Sequence, residues 1–305
     1  MITLSAGVSY FDLNFLSTPR VIATAVLRAA RGVALVDPGP SSTLPALRET
    51  LTRAGISIAD VNALLLTHVH LDHAGASGTL VAENPAMKVY VHERGAPHLI
   101  NPEKLVASAA RLYGADMDRL WGEIRPVPDK ALAILRGGER IEEGGQPLDV
   151  AYTPGHASHH VSYFARDAGV AFVGDTAGVK LTASGVVAPP TPPPDIDIEA
   201  WLDSLERIDR WQPKTLFLTH FGPAAPSGAH VAELRQNLDS IGRLARELLA
   251  VDGTDEEREA RFVDACRQRL RQRMSGADVQ TYETAGRFDL NWRGLARYWR
   301  KRGVA

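Results

Sequence analysis

Cysteine is nearly missing from this chain: Cys266 is the only one in 305 residues. An intrachain disulfide is therefore excluded, which suits a reducing compartment. Any metal centre must then be built from histidine and carboxylate. Long apolar runs are missing too. None approaches the roughly 20 residues of a membrane span, so no membrane association is expected. Charge of one sign is not in excess. With 34 basic and 36 acidic residues the formal net charge is −2, which draws neither nucleic acid nor an anionic membrane. No basic stretch precedes an apolar core at the start, so no secretory leader is expected and the predicted location is the cytoplasm. The remaining composition, 45% hydrophobic and 23% charged, is globular. The length allows one large domain or two of ordinary size.

Histidine is what the chain concentrates. Thr67-His68-Val69-His70-Leu71-Asp72-His73 puts three imidazoles and one carboxylate into six residues. The apolar run Val61 to Leu66 ahead of it reads as a buried strand. Alternate side chains of an extended chain share a face, so His68 and His70 should project to one side. Asp72 and His73 lie where the chain must turn. Histidine with carboxylate suits zinc, and also iron or manganese.

Before this stretch, Tyr10 to Leu16, Val21 to Leu27 and Val33 to Val36 read as strands, with a turn at Ala30-Arg31-Gly32. Asp37-Pro38-Gly39-Pro40 ends the third strand, and a helix is predicted from about Leu44 to Ala54. Beyond it, Ser77 to Glu83 reads as a helix and Lys88 to His92 as a strand. Residues 93–137 change character, with helices at Pro102 to Tyr113 and Met117 to Glu123. Such an insertion forms a lid or pocket wall. Tyr113 and Trp121 are its candidate substrate contacts, together with His98. The strand pattern resumes at Gln146 to Thr153, Val161 to Ala165, Val170 to Val173 and Lys214 to Leu218. A proline-rich loop, Ala188 to Asp195, and an amphipathic helix, Ile198 to Arg210, separate the last two strands.

One arrangement recurs four times: an apolar strand, then a metal-capable residue at its C-terminal end, at His68, His156, Asp175 and His220. Open α/β sheets gather active sites at such ends, and four matching positions argue against isolated core histidines. Together, His68-x-His70-x-Asp72-His73, Thr153-Pro154-Gly155-His156, Gly174-Asp175 and Thr219-His220 resemble the metallo-β-lactamase superfamily over about residues 10–225. The resemblance implies an α/β fold: a four-layer αββα sandwich, here with a helical insertion and a helical C-terminal extension. It also implies two divalent metal ions, zinc foremost, with iron or manganese as alternatives. His68, His70 and His156 would hold one ion, Asp72, His73 and His220 the other, and Asp175 would bridge them. His160 matches a supporting histidine found in the family after Thr-Pro-Gly-His.

The expected chemistry is hydrolysis. A metal-bridging hydroxide, available near neutral pH, would attack a small carbonyl substrate such as a thioester, lactone or ester. Asp72 is expected to act as a ligand first and a general base second. Three alternatives stand beside this: a phosphodiesterase or nuclease of the same fold, a non-haem iron oxygenase or redox member, and a scaffold that has lost its metals. Hydroxyacylglutathione hydrolases share the ligand set. Their basic run after the bridging aspartate is absent here, where Thr176 to Val179 is followed by the single cation Lys180.

Residues 1–228 are read as the catalytic domain and 229–305 as a helical extension packed on it, because apolar residues recur at helical spacing (Leu234, Leu238, Ile241, Leu244, Leu248) and its aromatics need burial. Basic residues exceed acidic ones there by only three, 15 against 12, which is a solvated face rather than a nucleic-acid patch. The expected partner is a small-molecule substrate, and the protein is expected to be a monomer or homodimer.

Overall fold

The computed structural model describes residues 1–30, 32–182 and 185–304. Short strands, the central ones buried on both faces, assemble into two sheets. The first runs in the order β1 (Ile2–Ser5), β2 (Val8–Asp12), β3 (Ala23–Ala29), β4 (Gly32–Val36), β5 (Val61–Leu65), β6 (Lys88–His92) and β7 (Leu132–Leu135). It is antiparallel up to β4 and parallel from β4 to β7. The second pairs β8 (Arg140–Glu143), β9 (Gln146–Tyr152), β10 (Val161–Ala165), β11 (Val170–Phe172), β12 (Thr215–Leu218) and β13 (Gly222–Ala224), with only β11 and β12 parallel.

Alternation along the strands divides the core into layers. Ala34, Val36, Ala63 and Leu65 of the first sheet meet Val161, Tyr163, Phe172 and Phe217 of the second. Val33, Leu35 and Leu64 face the other way, toward α1 (Leu44–Arg53) and α3 (Ser77–Glu83). Ala171, Leu216 and Leu218 face α7 (Ile198–Arg210). The result is a four-layer αββα sandwich. The other helices of the first half are α2 (Leu71–Ala74), α4 (Ala96–Ile100), α5 (Glu103–Tyr113) and α6 (Met117–Trp121).

The last segment folds as α8 (Ser227–Leu249), α9 (Asp255–Arg271), α10 (Gly276–Ala285) and α11 (Phe288–Arg300). Thr254 and Glu257 cap α9 reciprocally, each side chain accepting from the other's backbone N–H. Leu234, Leu238, Phe262, Trp292 and Leu295 share one buried cluster with Trp201, Leu205 and Leu218. The extension therefore closes over the outer face of α7 and the second sheet.

Three details depart from expectation. The strand read at Tyr10 to Leu16 stops at Asp12, because Asn14 and Leu16 take positive φ and a 3₁₀ turn follows at Phe15–Ser17. The segment 93–137 is not wholly an insertion, since Leu132 to Leu135 pairs with β6 as an edge strand. The short strands β1, β8 and β13 and helix α10 carry too little periodicity to be read from sequence. The turn at Ala30-Arg31-Gly32 includes Arg31, which lies outside the described residues.

The C-terminal ends of β4, β5, β9, β11 and β12 arrive at one edge of the sandwich. There the two sheets are joined by backbone bonds, from Val161 N to Thr67 O (2.8 Å) and from Ala23 N to Thr219 O (2.8 Å). The no-span expectation agrees with the helices: among the described residues none is long and apolar enough to cross a membrane.

Candidate metal centre and active site

His68, His156, Asp175 and His220 lie two to four positions beyond a strand end, where the chain is free to turn a side chain toward the gap between the sheets. His70 starts the short helix α2, which brings Asp72 and His73 back beside it. Gly174, at φ +45°, lets the chain leave β11 tightly. A Cβ there would lie 2.5 Å from Thr67 Oγ1 and 2.7 Å from His160 Nε2, so the position before Asp175 has room only for glycine. Gly155 (φ +135°) has the Trp201 backbone against it, 2.3 Å from where a Cβ would stand.

Three groups of donors converge: His68, His70 and His156; His68, His73 and Asp175; Asp72, His73 and His220. Within each, the ligand atoms lie within 4.8 Å of one another. His70 Nδ1 is 3.0 Å from both His68 Nε2 and His156 Nε2. His220 Nε2 is 3.3 Å from Asp72 Oδ2. Asp175 divides its carboxylate, with Oδ1 3.3 Å from His73 Nε2 and Oδ2 3.4 Å from His156 Nε2.

The tautomers follow from the outer hydrogen bonds. His73 Nδ1 donates to Asp37 Oδ2 (2.8 Å), His156 Nδ1 to the Pro190 carbonyl (2.9 Å) and His220 Nδ1 to the Val21 carbonyl (2.6 Å). Thr67 Oγ1 donates to Asp37 Oδ2 (2.7 Å), so at 3.1 Å it accepts from His68 Nδ1. In the neutral rings the Nε2 lone pairs of all four histidines thus point inward. His73 Nε2, His220 Nε2 and Asp175 Oδ1 are buried without a hydrogen-bond partner. Buried polar atoms are rarely left so. A cluster of inward-facing lone pairs is what a divalent cation satisfies, and the donor set fits one.

Charge is arranged to match. Burial, reinforced by neighbouring imidazoles, holds His68 well below the ordinary histidine range and His70 down at about 4, so these rings are neutral ligands at neutral pH. At His73 and His220 burial also favours the neutral ring, but the carboxylates of Asp175 and Asp72 outweigh it and raise both. At Asp72 burial opposes ionisation, yet His73 and His220 bring its carboxyl down to about 2.

Of the other sequence candidates, His98, Tyr113 and Trp121 line the cavity that opens from the cluster. Tyr113 packs edge-on against Trp121 at 5.0 Å. Burial, then the Asp72 charge, pushes its phenol above the usual range. His160 lies behind His68, with ring centroids 5.0 Å apart, and its Nδ1 is within 3.0 and 3.1 Å of the Thr153 and Thr176 hydroxyls. Lys180 is placed elsewhere. Among the described residues it is not part of the cavity wall; its backbone N donates to the His220 carbonyl (2.7 Å).

Three residues escaped sequence reading. Asp37 gathers His73, Thr67 and Thr219 on one carboxylate, and the Asp-Pro-Gly at its strand end was the available signal. Trp201 packs against His156 at 5.7 Å and donates from Nε1 to the Thr176 carbonyl (2.7 Å), while its place on the apolar face of α7 made it look like plain core. His159 lines the cavity. Val69 N–H donates to its Nδ1 (3.4 Å), so the ring hydrogen sits on Nε2.

Comparison with known proteins agrees with this geometry. Residues 17–220 match the family model of the metallo-beta-lactamase superfamily. The chain belongs to that superfamily, whose members are metallo-hydrolases. It is 31% identical over 244 residues to the metallo-beta-lactamase fold-containing protein ST1585 of Sulfurisphaera tokodaii, spanning 76% of this chain and 87% of that one. It is 31% identical over 142 residues to the hydroxyacylglutathione hydrolase of Aeromonas salmonicida, spanning 47% of this chain and 41% of that one. In structure it resembles the metallo-beta-lactamase family protein TTHA1429 of Thermus thermophilus, with a TM-score of 0.74, 24% identity and coverage of 99% and 95% of the two chains. That likeness extends over the C-terminal helices, which the family model does not reach.

Proposed function

We propose that the protein is a dinuclear metal-dependent hydrolase of small carbonyl substrates: thioesters, lactones or esters. His68, His70 and His156 would hold one ion, Asp72, His73 and His220 the second, with Asp175 between the two groups. The observation that carries this reading is the divided carboxylate of Asp175, one oxygen on the His73 side and the other on the His156 side. Zinc suits the donors best, and iron or manganese is accepted by the same set.

Two divalent ions, when bound, supply a water acidic enough to ionise near neutral pH and a Lewis acid for the substrate carbonyl. The protein's own part is orientation. Asp37, Pro190 and Val21 fix which nitrogen of His73, His156 and His220 faces inward. Asp72, whose side chain is 22% exposed, is a ligand first and a proton acceptor second. His160 supports His68 from behind. The catalytic unit is residues 1–228, with 229–305 closing over it. A glutathione thioester is disfavoured among the candidates, because Lys180 lies off the cavity wall.

The test is metal analysis of protein purified without chelator, followed by a panel of thioesters, lactones, aryl esters and aryl phosphodiesters. About two ions per chain and turnover of a carbonyl substrate are expected. One iron per chain with strict iron dependence would replace this reading with an oxygenase, and turnover of phosphodiesters alone with a phosphodiesterase.

A further inference from the structure

Beyond the histidine cluster the cavity widens to about 400 Å³, within the range of small-molecule sites. Helix α5 turns one stripe toward it: Leu105, Ala109 and Leu112 at helical spacing, joined by Leu120 of α6 and Leu290 of α11. A stripe of this kind ordinarily packs on a core. Here Ala109 joins the core, and Leu105 and Leu120 pack against it on one side, yet Leu105, Leu112 and Leu120 remain only partly buried and border the cavity.

Free charge is sparse on this wall. Arg287 is engaged by Asp289 through two hydrogen bonds, at 3.0 and 2.6 Å, Asp195 accepts from the Ser158 hydroxyl (2.5 Å), and Lys104 is exposed. The polar end is the metal end, where His70, Asp72, His156 and His159 meet the cavity. An apolar wall running away from a reactive centre is covered by an apolar part of whatever reacts there.

We infer that the chamber receives an uncharged, medium-length acyl chain, so that the substrate class is an ester, thioester or lactone of an aliphatic acid. Its carbonyl lies at the His70–Asp72–His156 end and its chain lies along α5. The inference rests on the hydrolase reading above, and its test separates the two.

Binding of neutral alkanamides, measured by calorimetry on the metal-loaded protein, reads the chamber without turnover. Each methylene buried strengthens binding by up to about fourfold, so octanamide is expected to bind at least about tenfold more tightly than butyramide. The specificity constant kcat/KM for p-nitrophenyl esters should rise from acetate to octanoate by a similar factor. Ala109→Phe fills the chamber and should bring the octanamide preference close to unity. Ser108→Phe, at a half-buried position on the same stripe, does the same with less risk to folding. Equal binding of butyramide and octanamide, or ester rates flat with chain length, would overturn the inference. A clear octanamide preference with no ester, thioester or lactone turned over sustains the acyl-chain site and overturns the hydrolase reading instead.

Discussion

His73 Nδ1 donates to Asp37 Oδ2 across 2.8 Å, and neither side chain is exposed to solvent. The same oxygen accepts from the Thr67 and Thr219 hydroxyls, at 2.7 and 2.8 Å. One carboxylate thereby ties a residue of α2 to the ends of β5 and β12, one from each sheet. It sets the His73 tautomer and, through Thr67, that of His68.

Asp37→Asn tests that relationship. The amide keeps the shape but places an NH₂ where donors now converge. Metal affinity should fall about 10- to 100-fold, read by competition with a chromogenic chelator. Unchanged affinity would mean that Asp37 serves folding alone.

Asp175→Ala removes the residue that faces both donor groups. Metal content should drop by about one ion per chain and most turnover should disappear. A variant that keeps its full metal complement would refute the bridging assignment.

Metal removal should lower both stability and order at the site, because His73 Nε2, His220 Nε2 and Asp175 Oδ1 are buried without partners. A ligand held at 100 times its Kd adds about 2.7 kcal/mol, so chelation should lower the thermal midpoint by several degrees. Loading should also depend on pH with a definite sign. Burial favours neutral rings at His73 and His220, but Asp175 and Asp72 raise both above the ordinary histidine range. Binding must therefore release protons from them, and affinity should weaken as pH falls from 8 to 6. Affinity that rises on acidification would contradict this.

Trp292→Ala opens a hole between α11, α9 and α7, since Trp292 shares a buried cluster with Phe262 and Trp201 and is 2% exposed. The expected loss is about 3–5 kcal/mol, measured by denaturant unfolding. Truncation before Ala229 would expose the same cluster together with Leu216 and Leu218, so an unfolded product is expected. A truncated chain that stays folded and binds metal would show that the extension contributes little to the core.

The fold and the donors were largely legible from local patterns. The strands at Lys88 to His92 and Val161 to Ala165 and the helix at Ile198 to Arg210 emerged with these bounds, and the strand at Val33 to Val36 emerged one residue longer, because buried strands and amphipathic helices leave strong periodicities. Of the seven candidate donors, His68, His156, Asp175 and His220 stood out because each follows such a strand, and His70, Asp72 and His73 because they crowd directly behind His68. The edge strands β1, β8 and β13 were invisible, being three or four residues long and half exposed or interrupted by proline.

By itself the sequence determined which strand ends carry metal-capable side chains, since histidine and aspartate types at strand ends are local facts, and the family resemblance of their motifs implied a single centre. Only the tertiary structure decided how they act. Asp37 and His73 are 36 positions apart, and Val21 and His220 are 199 apart. No window of sequence relates them, because the tautomer of a ring is set by whatever acceptor the packed fold brings to its other nitrogen. The apolar chamber is of the same kind. Leu105 and Leu112 read as one face of a helix, and whether that face meets core or open space depends on where α6 and α11 come to rest.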